Sequence, residues 1–339
     1  KSNLLEAIYF LGNLKSFRGA KRSNLTQWGC NKFGLRGEFI SSETGKKLSL
    51  EAVCDRGKAQ YRINGVTTES VENYLSRVCT IAFHPDSLSV LKGGPIHRRM
   101  FIDRGIFHEK KEHLHTLKEY NRVLAERRWI LKNRKDSILG VWTEKLIQLG
   151  IKVAIKRRDY CQRLNERVLT MKSPPGGDEP PQIKYLPSIP GLKDGPDAND
   201  EEKTRESFLK RLEETKEEEK RRGQTLTGPH RDDLAVWIGG RDLSRFGSQG
   251  QQKAALLSLI TAQSDLVSQC GTGTPIMIFD DVTSELDGLR VEWVCHALAS
   301  RGNQVFISSV EAVPIQKITG LTKALLVRRG EMVEVESAA

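Results

Sequence analysis

The amino-acid sequence predicts an α/β protein in which a sheet domain is interrupted by an antiparallel hairpin of helices. One observation is the apolar run Ile276–Phe279, which ends in two acids, Asp280 and Asp281. Such a run is typical of a strand covered on both faces of a parallel sheet, and ligands bind at the carboxyl ends of these strands. The chain also opens on an amphipathic helix, and residues 108–170 carry the apolar spacing of paired helices. Because Asp is common in turns, a plain strand end is the alternative interpretation of the two acids.

The opening helix places Lys1 and Ser2 at its first turn. Its apolar residues fall at positions 4, 5, 8 and 11, and Gly12 is predicted to end it as a C-cap. Lys-Ser at a helix start is the last pair of the phosphate loop G-x-x-x-x-G-K-[ST], in which the Lys reaches the β- and γ-phosphates and the hydroxyl binds Mg²⁺. The glycines are absent from the printed chain, so we expect the chain to begin within this motif, and a chance pair is the alternative. The pair gains weight because a strand ending in Asp can hold the same Mg²⁺.

The composition favours a protein of two domains with an acidic partner. The chain has 339 residues and a formal net charge of +11, which favours nucleic acid as the partner, with a merely basic soluble protein as the alternative. Its six cysteines are scattered, without a C-x-x-C pair, so we expect buried thiols in a reducing compartment. No apolar run approaches membrane-spanning length, and no membrane partner is expected.

The segments before residue 108 predict the first part of the sheet domain. We expect a basic surface loop at 15–32, short antiparallel strands at 38–40, 48–53 and 59–63, a helix at 71–75 and a strand at 78–83. A further helix begins at Pro95 and carries Arg98 and Arg99. We interpret these two arginines as a basic patch near a phosphate-rich ligand, and a solvated helix face is the alternative.

Residues 108–170 predict the two helices of the hairpin. The break between them falls at 133–137, where Asp136 or Ser137 can cap the second helix. The outer faces are strongly basic and include Arg127 and Arg128. A contact with the phosphate backbone of DNA is the favoured interpretation, and a solvent-exposed coiled coil is the alternative.

The chain is predicted to return to the sheet domain after a linker at 173–200, which holds one short strand, and a peripheral helix at 201–222. A strand at 234–238 and a Gly-Gly turn precede a long apolar helix, for which Ser248 is well placed as N-cap. Flanking glycines and glutamines indicate an anion site at this helix start, since a simple cap needs Ser248 alone. The chain therefore has two helix starts suited to anions but one pair of acids, which is explained if the second start completes a site on another copy of the chain.

Five motifs carry a resemblance to a known family. They are Lys1-Ser2-Asn3; Gly94-Pro95 with Arg98-Arg99 and Phe101-Ile102-Asp103; Gly228-Pro229-His230-Arg231-Asp232-Asp233-Leu234; Phe246-Gly247-Ser248-Gln249-Gly250-Gln251-Gln252; and Phe279-Asp280-Asp281-Val282-Thr283-Ser284-Glu285-Leu286-Asp287. Together, from residue 1 to near residue 330, they resemble the RecF family of bacterial recombination mediators. This family belongs to the ABC/structural-maintenance-of-chromosomes (SMC) class of P-loop ATPases. The resemblance implies an α/β ATPase lobe interrupted by a helical arm, and we expect the boundaries at 1–107, 108–222 and 223–339.

The resemblance implies ATP as the ligand and Mg²⁺ as its metal. Lys1 and Ser2 are then the tail of the Walker A motif. Asp280 is the Walker B residue that binds Mg²⁺ together with Ser2, and Asp281 polarises the attacking water.

The resemblance also implies partners. Ser248, Gly250 and Gln251 are the signature motif offered across a dimer to the γ-phosphate, and Ser284 to Asp287 form the D-loop at that interface. The family is implied to form ATP-dependent homodimers on DNA, with a preference for gapped DNA or junctions of single-stranded and double-stranded DNA. It is implied to act with RecO and RecR mediators in loading RecA, in the cytoplasm at the nucleoid.

Two departures from related ATPases qualify these expectations. Asp281 stands where ABC ATPases at large use Glu, and its shorter side chain predicts slow hydrolysis. Ser308-Ser309 stands, after a strand predicted at 304–307, where a transporter ATPase has a switch His. The rival interpretations are another ATPase of this class, such as a transporter subunit or a nuclease-associated ATPase, and a structural DNA-binding protein with a vestigial nucleotide site. Intact glycines before Lys1 would favour the ATP switch.

Overall fold

The structure, a computed structural model, describes residues 1–41, 44–176, 179–192, 200–270, 273–299, 302–309, 324–328 and 331–335. Its helices are α1 (Ser2–Asn13), α2 (Val71–Leu75), α3 (Ser89–Lys92), α4 (Pro95–Glu109), α5 (Glu112–Lys132), α6 (Leu139–Leu169), α7 (Asp200–Glu214), α8 (Lys216–Arg222), α9 (Leu243–Phe246), α10 (Gln249–Ser268), α11 (Val282–Glu285) and α12 (Gly288–Ala299). Its strands are β1 (Lys32–Ile40), β2 (Lys47–Asp55), β3 (Lys58–Ile63), β4 (Val66–Thr68), β5 (Thr80–Phe83), β6 (Gln182–Leu186), β7 (Asp233–Ile238), β8 (Arg241–Asp242), β9 (Ile276–Phe279), β10 (Val305–Ile307), β11 (Ala324–Arg328) and β12 (Glu331–Val335).

The chain forms two compact units whose limits differ from the predicted boundaries at 107 and 222. One, the sheet unit, comprises Lys1–Leu88, Lys172–Asp178 and Gln249–Ala339; the other, the helical unit, comprises Ser89–Met171 and Glu179–Ser248. The helical unit is larger than the predicted arm because α4 and β7, assigned from the sequence to the sheet domain, pack together within it. An ion pair of 2.6 Å joins Arg98 of α4 to Asp233 of β7.

The sheet unit contains three parallel strands in the order β10, β9, β5. In the central strand, Met277, Ile278 and Phe279 are at most 1% exposed, so the strand predicted from the apolar run is confirmed. The registers align the last residues of the strands, Phe83, Phe279 and Ile307. All three strands therefore end at the same edge of the sheet.

Helix α1 packs on two sheets of this unit, the antiparallel meander and the parallel sheet. Its Phe10 and Leu11 belong to a buried cluster with the antiparallel meander β1 to β4, whereas Leu5 and Tyr9 pack with Ile278 of β9. The meander agrees with the short strands predicted between residues 38 and 63. Burial on two sides fixes the position of α1 relative to the parallel sheet.

The end of α1 differs from the prediction. The helix continues through Gly12 to Asn13, and Leu14 takes the left-handed conformation, with φ 52°. Gly12 instead permits close packing, because a Cβ at this position would lie 2.6 Å from Oγ1 of Thr80. The Asn13 side chain donates to the carbonyl of Thr80 at 3.1 Å and so fastens the helix end to β5.

Helix α10 begins at Gln249, as predicted for a helix that follows Ser248, and its residues from Ala254 to Val267 are buried. It packs against β5 and α12. Burial on every side explains why its sequence shows no polar face.

The helical unit contains the predicted hairpin, formed by α5 and α6. Ile130 and Leu131 of α5 pack against Leu139 of α6 beside the connecting turn. The predicted cap by Asp136 or Ser137 is wrong, because these residues form a 3₁₀ turn and α6 has no side-chain cap at its N-terminus.

The segment predicted as one peripheral helix is two helices, α7 and α8, and it is not peripheral. Phe208 of α7 is fully buried and lies against Gly150 of α6. Glu219 of α8 is 1% exposed. A few inward-facing residues are sufficient to pack a largely charged helix against its neighbours. The low apolar content of α7 and α8 therefore does not indicate that they are peripheral.

The short strands predicted around this segment are confirmed as β6 and β7, which form a small antiparallel sheet with β8. Residues 193–199 of the predicted linker lie outside the described residues. Among the helices of the described part, none combines the length and apolarity that crossing a membrane requires.

Candidate functional site

The carboxyl edge of the parallel sheet brings three polar residues together. His84 follows β5, Asp280 follows β9 and Ser308 follows β10, and the aligned strand ends place them at one edge. Asp280 is 4% exposed, and its backbone N–H donates to the carbonyl of Phe83 at 2.9 Å. The first acid of the predicted pair therefore lies where open α/β sheets bind ligands.

Ser308 links the two acids of the pair. Its Oγ donates to Oδ1 of Asp280 at 2.7 Å and accepts a hydrogen bond from the backbone N–H of Asp281 at 2.9 Å. Asp281 has a φ of 54°, which is uncommon for a residue other than Gly. Within the described residues, its Oδ1 is buried without a hydrogen-bond partner. A buried carboxylate oxygen without a protein partner is suited to bind water or a ligand.

Arg18 connects Asp280 with the first turns of α1. Its guanidinium nitrogens lie 3.7 Å from Oδ2 of Asp280 and 3.8 Å from Oε2 of Glu6, and Nη1 donates to Oδ1 of Asn3 at 3.4 Å. The side chain is 40% exposed, so these contacts contribute little to stability. They establish that the start of α1 and the Asp280 carboxylate lie within reach of one arginine. No spacing in the sequence distinguishes Arg18 from the other basic residues of its loop.

Lys1 and Ser2 lie at the N-terminus of α1, as predicted. The carbonyl of Lys1 accepts hydrogen bonds from the N–H groups of Leu4 and Leu5 at 3.0 and 3.2 Å, and the Lys1 side chain is exposed. A helix N-terminus with an adjacent lysine favours a phosphate group.

The residues at this edge fit Mg²⁺ and a nucleotide phosphate. The Ser2 hydroxyl and the Asp280 carboxylate are oxygen donors, which Mg²⁺ prefers, and Mg²⁺ commonly uses one or two protein ligands together with substrate phosphates. The described residues contain no group of three or more His, Cys, Asp or Glu able to hold a metal ion. The buried Oδ1 of Asp281 is an unused hydrogen-bond acceptor among the described residues.

The predicted signature residues occupy the start of α10. Ser248 is exposed and is the last residue of the helical unit, whereas Gly250 and Gln251 belong to the sheet unit. The helix is 20 residues long, so its N-terminus carries the partial positive charge that favours an anion.

The predicted D-loop residues run from the end of α11 to the residue before α12. Ser284 is exposed, and Asp287 caps α12 by accepting a hydrogen bond from the backbone N–H of Arg290 at 3.0 Å. An ion pair of 3.2 Å between Lys253 and Glu285 ties α10 to this turn. Asp287 therefore has a structural role, whatever it contacts in an assembly.

The two hairpin arginines expected to contact DNA differ in exposure. Arg127 is 2% exposed, and its guanidinium binds Glu219 at 3.1 Å and Oγ1 of Thr225 at 2.6 Å. Burial leaves it unable to reach a DNA phosphate, which corrects the expectation for this residue. Arg128, the next residue, is exposed.

The two arginines of α4 are engaged inside the helical unit. Arg98 makes a bidentate contact with Asp233, with distances of 2.6 and 2.9 Å. Arg99 donates to the backbone carbonyl of Asp232 at 2.6 Å. These contacts give both residues a structural role. The side chain of Arg98 is only 13% exposed, so its guanidinium is not available for the expected contact with a phosphate-rich ligand.

A buried charge network explains two of the sequence motifs without assigning them to a ligand. Arg157 of α6 donates to both carboxylate oxygens of Asp103 at 2.8 Å and to Asp232 at 3.3 Å, and the Tyr185 hydroxyl also donates to Asp232. Burial opposes ionisation of Asp103, but the Arg157 charge and a hydrogen bond from His113 outweigh it, so the pKa of Asp103 is lowered. The motifs that contain Asp103 and Asp232 therefore hold α4, α6 and β7 together.

Comparison with known proteins gives a consistent set of relatives. The model of the RecF/RecN/SMC N-terminal domain family matches residues 1–332. The DNA replication and repair protein RecF of Geotalea uraniireducens is 33% identical over 310 residues, covering 91% of this chain and 83% of that protein. The protein of the same name from Halalkalibacterium halodurans is 34% identical over 315 residues, with 91% and 83% covered.

Solved structures show the same similarity. The chain is similar to the recombination mediator protein RecF of the RecFOR pathway in its ATP form, with a TM-score of 0.86 and 27% identity, over 98% of this chain and 89% of that one. It is also similar to the Smc head domain of Pyrococcus furiosus, with a TM-score of 0.51 and 14% identity, over 98% and 87% of the two chains. The second similarity concerns the fold alone.

Proposed function

The chain belongs to the RecF family, and from this premise we propose that it is an ATP-binding protein of DNA replication and repair that uses ATP to form a homodimer on DNA. The names of its relatives support the role in DNA replication and repair, and the similar RecF structure in its ATP form supports ATP as the nucleotide. Slow hydrolysis then releases the dimer. Since the similar structure comes from the RecFOR pathway, we expect mediators of the RecO and RecR type as partners in loading the recombinase on gapped DNA.

The observation that carries the proposal is the arrangement of Asp280, Ser308 and Asp281 at the carboxyl edge, within reach of the start of α1 through Arg18. In the proposed site, Lys1 and the N-terminus of α1 hold the phosphates, and Ser2 and Asp280 hold Mg²⁺. Bound Mg²⁺ supplies positive charge to the β- and γ-phosphates. Asp281 orients the attacking water through its buried oxygen, so rate acceleration comes from positioning and electrostatic stabilisation.

Replacing Asp281 by Asn tests the proposed function. In protein that includes the glycines expected before Lys1, Asp281→Asn should retain ATP affinity within about threefold and lose hydrolysis by roughly 100-fold or more, because an amide is a poor base for water. The ATP-bound dimer should persist. The measurements are nucleotide binding by calorimetry and steady-state phosphate release.

The matched control is Asp55→Asn, which removes an exposed carboxylate from the meander of the same unit. It should leave binding and turnover unchanged. Unchanged turnover in Asp281→Asn would remove Asp281 from the mechanism. If the unsubstituted protein neither binds nor hydrolyses ATP, a structural DNA-binding protein with a vestigial nucleotide site becomes the better interpretation.

For DNA, we place the contact on the exposed side of α5, which we call the α5 basic face. Arg128, an expected DNA contact, lies on it. The face comprises Lys118, Arg122, Arg128 and Lys132. Glu112 is the exposed acid of this helix, and its carboxylate lies 3.2 Å from Lys156. A helix that places four cations over about 21 Å is suited to follow a row of phosphates.

A further inference from the structure

Ser308 occupies the position between the two acids of the site. It follows β10 directly, its residue surface is 6% exposed, and its backbone N–H donates to the carbonyl of Phe279 at 2.8 Å. This backbone bond extends the pairing of β10 with β9 by one residue and fixes the backbone of Ser308. The two hydrogen bonds of the Ser308 hydroxyl then fix its side chain. The hydroxyl is therefore a fixed group at the carboxyl edge.

The hydrogen-bond directions at the Ser308 hydroxyl follow from its partners. The backbone N–H of Asp281 can only donate, so Oγ accepts from it at 2.9 Å. The hydroxyl has one proton, and it is donated to Oδ1 of Asp280 at 2.7 Å. With Oδ1 occupied, Oδ2 is the carboxylate oxygen of Asp280 that faces a cation, which in this structure is Arg18 at 3.7 Å.

The same hydroxyl also fixes the backbone of the second acid. Asp281 adopts a φ of 54°, a conformation that costs free energy in a residue other than Gly and persists where surrounding contacts hold it. The contact that holds its N–H is the bond to Ser308. The direction in which the Asp281 side chain leaves the backbone therefore depends on this bond.

We propose that Ser308 is a positioning residue for both acids: it turns Oδ2 of Asp280 towards the metal and holds Asp281 in the conformation that presents its free oxygen to water. This role rests on the proposed ATPase function. Ser308 touches neither nucleotide nor metal in this assignment, and it acts through Asp280 and Asp281. The role proposed for Ser308, directly after β10, therefore differs from that of the switch His of transporter ATPases.

The test compares Ser308→Ala with Ser308→Thr in protein that carries the complete phosphate loop. Ser308→Ala should lower kcat by about tenfold or more, because a displaced catalytic group loses its alignment with the reacting atoms. It should also raise, several-fold, the Mn²⁺ concentration that half-saturates the protein with a non-hydrolysable ATP analogue, measured by electron paramagnetic resonance. Ser308→Thr keeps the hydroxyl and should restore both quantities to near the values of the unsubstituted protein.

Ser258→Ala is the matched control, because Ser258 is also a buried serine of the sheet unit, with its hydroxyl bonded to the carbonyl of Ala254 at 3.2 Å. It should change thermal stability without changing kcat or Mn²⁺ affinity. If Ser308→Ala does not fold, Ser308→Cys keeps the shape of the side chain at a slightly larger size but donates weakly, and the same losses are expected in it.

Normal kcat and normal Mn²⁺ affinity in Ser308→Ala or Ser308→Cys, with only a lower melting temperature, would overturn the positioning role. Absence of ATP binding and hydrolysis in the unsubstituted protein would instead overturn the proposed function, and the role of Ser308 with it. Measuring the unsubstituted protein first separates these two failures.

Discussion

At the scale of single residues, Gly12 illustrates how closely α1 approaches the parallel sheet. A Cβ added here would lie 2.6 Å from Oγ1 and 2.8 Å from Cγ2 of Thr80, and Thr80 is fully buried. A methyl group at this position therefore displaces the buried Thr80 side chain or moves α1 away from β5. Since Lys1 and Ser2 lie at the start of α1 and Asp280 follows β9, which pairs with β5, a movement of α1 also affects the geometry of the candidate site.

Gly12→Ala should destabilise the protein by about 1–3 kcal/mol, because an extra methyl group in a packed core forces neighbouring atoms apart. Gly140→Ala is the matched control: Gly140 lies in the first turn of α6, and a Cβ there meets no atom within 4 Å. This second change should be neutral or stabilise by up to about 1 kcal/mol, since Ala favours helix more than Gly. Urea denaturation measures both, and equal effects of the two substitutions would contradict the packing role of Gly12.

The role of a residue is predictable from the sequence where its side-chain chemistry and its position at the end of a strand or helix indicate the same function. An apolar run followed by two acids allowed Asp280 to be placed at a strand end, and the structure has it there. Arg127 shows the limit of this reasoning, because its partner Glu219 is 92 residues away in the chain. Nothing local distinguishes a buried arginine from its exposed neighbour Arg128. Arg18 cannot be distinguished in the sequence for the same reason, since its contact with Asp280 depends on how α1 packs on β9.

At the scale of secondary-structure elements, the apolar periodicity of the sequence predicts whether a long segment is a helix or a strand. It does not predict which other segments that element packs against. The α5–α6 hairpin, the meander and α10 follow from apolar spacing alone, because the period of burial is a local property of a helix or strand. The unit boundaries do not follow from it. They depend on charge pairs between distant segments, such as Arg157 with Asp103 and Asp232, which draw α4 and β7 into the helical unit.

The α5 basic face gives the element-scale prediction. Replacing Arg122 and Arg128 together by Ala should weaken binding to DNA and reduce the slope of log affinity against log salt by about 2, because each lost phosphate contact removes about one released counterion. Fluorescence anisotropy at several salt concentrations measures both quantities. The change should be similar for different DNA sequences, since backbone contacts carry no base information.

A double replacement of Lys203 and Lys210 by Ala provides the control for this experiment. Both lysines are exposed on α7 of the same unit, so the variant removes the same net charge. It should leave the salt slope nearly unchanged, because α7 is rich in acids that repel phosphate. Equal losses in the two double variants would mean that net charge alone drives binding, and the assignment to α5 would be wrong.

At the scale of the whole molecule, the central question is why the chain has two helix starts suited to anions. The start of α1 has Lys1 beside it and lies within reach of Asp280 through Arg18. The start of α10 has an exposed Ser248 and flanking glycines, but its predicted motif includes neither a lysine partner for phosphate nor a pair of acids. In a dimer, the start of α10 in each copy would complete the site at the start of α1 in the other copy. Two composite sites would then form, one for each copy of the chain.

Ser248→Arg tests this composite site. If Ser248 completes the site of a second copy, the arginine should leave ATP binding by the monomer nearly intact and abolish ATP-dependent dimers, because its bulk and charge block the closed interface. Light scattering with and without ATP measures the dimer, and calorimetry at low protein concentration measures binding. Ser137→Arg, an exposed serine in the hairpin turn, is the control and should dimerise normally.

Mixing Ser248→Arg with Asp281→Asn protein makes the test sharper. In the mixed dimer, one site combines Lys1, Ser2 and both acids of the first variant with the intact Ser248 of the second, and the other site faces the arginine. Partial association should therefore return in the mixture, although Ser248→Arg alone remains monomeric. Asp281→Asn protein dimerises with itself, so the mixed species is identified by labelling the two variants with different fluorophores and measuring energy transfer. Normal dimerisation of Ser248→Arg alone would contradict the composite site and leave Ser248 as the residue that precedes α10 and no more.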